Sequence, residues 1–410
     1  MDVQRLRFSA MFAALTLSIL GLAASAGPQD AVPSPVTVAV RVRDAGRFVA
    51  GLTLSDFEIS EDGVPQRLQA LYQVDKNAIV REEGEAAAVR PAVARRFHLL
   101  FQMYDYDPKI SQALDYFFSS VLLPGDSLEI YTPVNSYQLT AQAFARKPKD
   151  VLARETKDLV RKDINKGNFV YKGLLKDLRR LVQGIQRSNP MIVPGDDAEG
   201  GMVSAFSMEQ IMDQYRDSLA KLEALQRLDP DKIVGFAQAM KKQPGRKVLI
   251  LFYQQEYRPE LNPRELNTLI DNNQDNQSIL ADLHELFQVH HRAIPMDVDR
   301  IAQAYCDSGA DVGFLFMRRT PEKFGGVTMR EESEDVFKLF FRIAEATGGF
   351  AGTTQNPQAE LKGAVEAMEA CYLLAYTPGP AAKAGSFRRI AVAIKGKPFR
   401  ISCGQGYFAR

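Results

Sequence analysis

The sequence predicts an α/β protein: a doubly wound, mostly parallel sheet carrying a small N-terminal all-β unit and C-terminal antiparallel strands. Three observations lead there. First, Phe97-His98-Leu99-Leu100-Phe101-Gln102-Met103-Tyr104-Asp105-Tyr106-Asp107-Pro108 starts as an apolar run and ends in two acidic residues one apart. It reads as a buried strand, a polar loop at its C-terminal end, and a helix returning from Lys109 to Leu123. Second, strands alternate with amphipathic helices from 97 to 377, the pattern of a parallel sheet with helices on its faces. Third, short alternating strands precede and follow that block.

The elements follow in order. Val36 to Arg43 alternates at period 2 and is a strand. Asp44-Ala45-Gly46-Arg47 is a turn, Phe48-Val49 a short strand, and Asp62-Gly63 a hairpin signal behind Leu52 to Glu61. Gln66 to Gln73 completes a unit over 36–75, too small to bury a large core alone. Residues 76–95, rich in Glu, Ala and Arg, read as a linker. After the 97–108 stretch, Pro124-Gly125-Asp126 ends a helix and Ser127 to Thr132 is a strand, with Gln138 to Thr140 its hairpin partner.

Helices are predicted over 148–164 and 171–186. The second shows an apolar face of Leu174, Leu175, Leu178, Leu181, Val182 and Ile185. Residues 188–243 form a helical insertion: Ser207 to Leu228, then a helix started by Asp229-Pro230. Arg246 to Tyr253 is a second buried strand. Helices follow over 263–270 and 277–289, then a strand over 292–298. Residues 307–332 read as a surface excursion. Glu334 to Thr347 and Pro357 to Glu369 are helices, and strands are expected over 372–377, 387–394 and 399–402. The main unit therefore spans 96–377, and 378–410 packs on what precedes it.

Composition bounds the function. The chain has 410 residues, 46% hydrophobic and 25% charged, with a formal charge of +1. That balance gives no electrostatic pull toward nucleic acid. Arg5 and Arg7, the apolar run Phe8 to Leu22, and Ala24-Ser25-Ala26 read as a signal peptide over 1–26, so the chain is expected to be exported, periplasmic or extracellular. No later stretch is long and apolar enough to span a membrane. Export permits oxidation, and Cys371 and Cys403 are candidates for one disulfide between C-terminal strands.

An ordered set of motifs brings a resemblance. It comprises the strand, acidic loop, helix and Pro-Gly-Asp block; Gly-Arg-Lys-Val-Leu-Ile-Leu at 245–251; and Ala-Glu-Ala-Thr-Gly-Gly-Phe at 344–350. Tyr-Leu-Leu-Ala-Tyr-Thr-Pro at 372–378, Ser-Phe-Arg-Arg-Ile-Ala-Val at 386–392 and Gly-Tyr-Phe-Ala-Arg at 406–410 follow, with Leu54 to Gly63 upstream. Together they resemble the von Willebrand factor A-related proteins abundant in acidobacteria, over about residues 36–410. The resemblance implies a Rossmann-like von Willebrand A domain in an exported protein, and a binding role.

Such domains often hold a divalent cation in a first loop reading Asp-x-Ser-x-Ser, completed by a Thr and an Asp from later loops. Hard cations need several oxygen ligands. Here those positions are Gln102, Tyr104 and Tyr106; the Thr region is Gly167-Asn168-Phe169; and the later acidic loop is Tyr253-Gln254-Gln255-Glu256. The site is degenerate, and no cofactor is expected. An altered cation site from Asp105, Asp107 and Glu256 is the alternative, and a hydrolase using the same carboxylates is a third reading. Asp107-Pro108 also suits a helix start. His284-Glu285 lacks the second histidine of a zinc-protease helix, since position 288 is Gln288. The expectation is a non-enzymatic module binding a protein partner through Gln102, Tyr104, Asp105, Tyr106, Asp107, Asn168 and Glu256.

Overall fold

A computed structural model describes residues 35–85, 90–188, 198–292, 295–379, 384–396 and 398–409, side chains within 198–206 excepted. The signal peptide expected over 1–26 lies outside the described residues.

Eighteen strands among these residues fall into four sheets. The largest continuous apolar runs pair in one of them. Its order is Phe350–Thr354, Ala310–Met317, Arg246–Gln254, Arg95–Gln102, Ser127–Tyr131 and Ser136–Leu139. The first five pair in parallel and the sixth joins antiparallel. Period-2 alternation splits the strand side chains between two cores. Leu99, Phe101, Ile250 and Phe252 pack with Ile110, Leu114, Val160 and Leu361 on one side. Leu249, Leu251, Tyr253, Val312 and Phe314 pack with Ala237, Ile301 and Leu339 on the other.

The fold differs from the mostly parallel, doubly wound sheet that the sequence predicts. Among the described residues only four of the fourteen strand pairings are parallel; ten are antiparallel. The chain is a mixed α/β protein rather than a Rossmann-like doubly wound, mostly parallel sheet with small additions. The reason lies at the two ends of the sequence, whose strands pair with each other over long separations. Val36–Asp44 sits between Ala370–Tyr376 and Arg400–Cys403, and Leu68–Asp75 and Ala78–Gly84 extend that sheet beyond Ala370–Tyr376. Phe387–Ile394 pairs with Phe57–Glu61 in another. Glu61 fastens this junction: its buried carboxylate accepts from the Tyr376 and Tyr407 hydroxyls at 2.7 and 2.9 Å and from Arg388.

Further readings change with it. Residues 76–95, read as a linker, contain the edge strand Ala78–Gly84, which pairs with Leu68–Asp75. Residues 307–332, read as a surface excursion, contain Ala310–Met317, a strand in which every residue is buried. Asp311 and Gly313 disguise it. Asp311 is neutralised by the Arg41 guanidinium, and Gly313 makes room for Met368, whose Cε would lie 3.2 Å from an added Cβ. Of the strand expected over 292–298, residues 293 and 294 lie outside the described set, and Val298 opens the helix Val298–Ser308.

The candidate Cys371–Cys403 disulfide is not formed: both thiols are free. Val40 is the partner of Tyr372 on one side and of Cys403 on the other, so Val36–Asp44 lies between the two cysteine strands. Two inter-strand steps separate them by about 9.5 Å, beyond the roughly 7 Å that a disulfide spans between Cα atoms.

One titration follows from the parallel sheet. Glu129 lies opposite the fully buried His98 on the neighbouring strand. Burial opposes its ionisation, but the His98 ring 3.5 Å away, a hydrogen bond from the Tyr131 hydroxyl and the nearby Arg96 pull the carboxyl from an ordinary 4.5 down to about 2. A depressed carboxyl contributes stability above the unfolded-state value and loses it as pH falls through the folded one. Acid unfolding should therefore take up protons between pH 4.5 and about 2, and Glu129→Gln should flatten that limb of a stability–pH curve. An unchanged limb would remove Glu129 from the account.

Candidate functional site

The loop after Arg95–Gln102 is pinned from three directions. Gln254 Oε1, on the next strand, accepts the backbone N–H groups of Tyr104 and Asp105 at 2.9 and 2.8 Å. Asn168, between the helices Lys149–Gly167 and Phe169–Arg187, donates its side-chain amide to Met103 O at 2.6 Å and to Ile164 O at 2.7 Å. The Tyr104 ring packs on Tyr171, with centroids 4.2 Å apart.

Beneath the loop lies Glu256, fully buried. One carboxylate oxygen accepts from the hydroxyls of Tyr104 and Tyr253, the other from Arg292. Arg292 also donates to Asp335 at 2.7 Å and to the Glu332 carbonyl. Burial pushes the Glu256 carboxyl up, while Arg292 and the two tyrosines pull it back. Burial and the adjacent Glu256 push both tyrosines well above their ordinary value.

The seven predicted contact residues thus divide. Tyr104, Asn168 and Glu256 are interior side chains, because each satisfies buried polar groups that would otherwise cost free energy. They hold the loop's shape and offer nothing to a partner. Asp105 reaches the surface, where Lys172 and Arg319 each contact its carboxylate at 2.7 Å. Asp107 accepts the Lys109 N–H at 2.8 Å and caps the following helix. Gln102 and Tyr106 are half-buried, and the Arg161 guanidinium lies 6.0 Å from the Tyr106 ring centre.

Asp105, Asp107 and Glu256 are therefore held by three separate sets of partners instead of converging. Among the described residues, no group of three or more His, Cys, Asp or Glu is placed to hold a metal ion. At Asp105 the protein's own ammonium and guanidinium supply the positive charge.

Sequence reasoning missed what lies beside this loop. Phe169 is 80% exposed and Val170 59%, at the start of the helix whose Lys172 reaches Asp105. A signal was present. The buried face of that helix runs through Tyr171, Leu178, Leu181, Val182 and Ile185. Phe169 falls off that face, on the side of Gly173 and Lys176, where a helical period expects polar residues; Val170 lies at the edge of the apolar face and is exposed at the start of the helix. Arg292, Arg319 and Lys172 carried no local signal, since each reaches the loop from a different element.

No protein-family model matches this chain, and no curated protein matches it. Among solved structures, the human COPII-coat protein Sec24c aligns at 7% identity over 77% of this chain, with a TM-score of 0.31. The chain spans 44% of that protein's length, and a superposition this loose carries no argument about fold or function.

Proposed function

We propose that this is an exported, non-enzymatic interaction module, akin to the von Willebrand factor A-related proteins its motifs resemble, that takes a protein partner at the loop edge without a bound cation. The observation that supports it is the exposed Phe169–Val170 pair, 80% and 59% accessible, standing beside the Asp105–Lys172–Arg319 cluster. An aromatic side chain left in water next to fixed charges has the make-up of an interface anchor with a polar rim. Tyr104 and Glu256 supply rigidity below it. Asp105, already held by two cations, has no call on a metal ion, so association should survive a chelator. Among the described residues no helix is long and apolar enough to cross a membrane.

The test is a pull-down with the wild type and a Phe169→Ser/Val170→Ser variant. Both changed side chains lie on the surface, so thermal stability should hold. The variant should lose a partner that the wild type retains with and without chelator. Equal recovery by both proteins, or recovery by neither, would overturn the reading. Loss on chelation would move it to a cation-dependent site.

A further inference from the structure

The opposite end of the parallel sheet holds a feature that partner binding does not use. Between the starts of Arg246–Gln254 and Ala310–Met317 and the antiparallel strands lies an open cleft of about 920 Å³. That is the size of a small-molecule site. Leu373, Ile390, Pro378 and Phe408 contribute apolar wall; Lys241, Arg246, Lys247 and Arg388 contribute positive charge, and Asp307 and Asp311 negative charge.

Three of those four cations are spoken for. Lys241 binds Asp307 at 2.6 Å, Arg246 faces Asp311 at 3.7 Å, and Arg388 binds Glu61. Lys247 has no carboxylate within ion-pair distance among the described residues. Its Nζ reaches only the Gln243 carbonyl, at a long 3.4 Å. Gly309 leaves the space beside that ammonium open, since an added Cβ would stand 3.8 Å from Nζ. A partly buried ammonium with unused donors is costly unless an anion completes it.

We propose that the cleft binds a small organic oxyanion, carboxylate or phosphate ester, with Lys247 as the anchoring charge and the apolar wall against the ligand's carbon body. Burial already lowers the Lys247 ammonium below its ordinary value, with Arg96 adding to it against the pull of Asp311. A lowered ammonium carries a larger free-amine fraction at neutral pH than an exposed lysine does. The site is therefore open to an anionic aldehyde.

Pyridoxal 5′-phosphate serves as the probe on the full chain. The Lys247 amine adds to the aldehyde carbon and water leaves. Borohydride then gives hydride to the imine carbon, and solvent gives the nitrogen its proton. Peptide mapping should show Lys247 modified several-fold faster than the exposed Lys242, and slowed to the Lys242 rate by millimolar succinate or inorganic phosphate. Protection by succinate alone assigns a carboxylate ligand; protection by phosphate alone assigns a phosphate ester. Labelling no faster than at Lys242, or fast labelling that neither oxyanion slows, would overturn the proposal.

Discussion

Arg292→Leu should destabilise the protein by about 3–5 kcal/mol at neutral pH, the range found when one partner of a buried ion pair is removed. The Glu256 carboxylate is fully buried, and Arg292 is its only cationic hydrogen-bond partner among the described residues. The two tyrosine hydroxyls remain as donors, but no positive charge does. The measurement is the urea midpoint at constant slope. The deficit should shrink in acid. Burial already pushes the Glu256 carboxyl up, so without Arg292 the group takes a proton more readily and the penalty for its charge disappears. The sign is that of a raised carboxyl, whose cost grows as pH rises above its unfolded value. A loss under about 1 kcal/mol at neutral pH would show that the native carboxyl is uncharged and that the loop rests on neutral hydrogen bonds.

Asp311→Ala should cost a similar amount, about 3–5 kcal/mol, for a different reason. Here a single carboxylate serves two guanidiniums from different sheets. Arg246 keeps the carbonyls of Lys76, Met368 and Glu369 when Asp311 is gone. Arg41, 1% exposed, keeps only the Gly348 carbonyl among the described residues. Arg41 then carries most of the loss, so Arg41→Met combined with Asp311→Ala should recover a substantial part of it. Losses that simply add in the double variant would separate the two residues energetically.

These residues show what the sequence does and does not reveal. Apolar runs such as Val248 to Phe252 announce themselves, because a strand buried on both faces has few polar positions. So does the helix carrying Leu174, Leu178 and Leu181, because its spacing repeats. Ala310–Met317 is equally buried but opens Ala-Asp-Val-Gly, and the charge on Asp311 is acceptable only because Arg41 arrives from 270 positions upstream, a distance no local window covers. The same holds for the pairing of Val36–Asp44. Alternation shows that it is a strand but not whose neighbour it is. At the candidate site the Asp-x-Asp loop was visible as a polar break after a strand. Its character was not, because Lys172, Arg319 and Arg292 decide whether those carboxylates point at a ligand or at the protein.

The interlocking of the early and late strands also sets a timetable. Leu52 and Tyr372, joined by a hydrogen bond from the Leu52 N–H to the Tyr372 hydroxyl, are 320 residues apart. A ribosome adding about 5–20 residues per second needs roughly 15–65 s to cover that distance. For all that time Val36–Asp44 has neither of its main partners, and contacts this distant in sequence also slow the search once the chain is complete. The antiparallel half of the molecule is thus a late product of synthesis. Until it forms, Val38, Val40 and Val42, buried in the finished protein, stand without the strands that cover them.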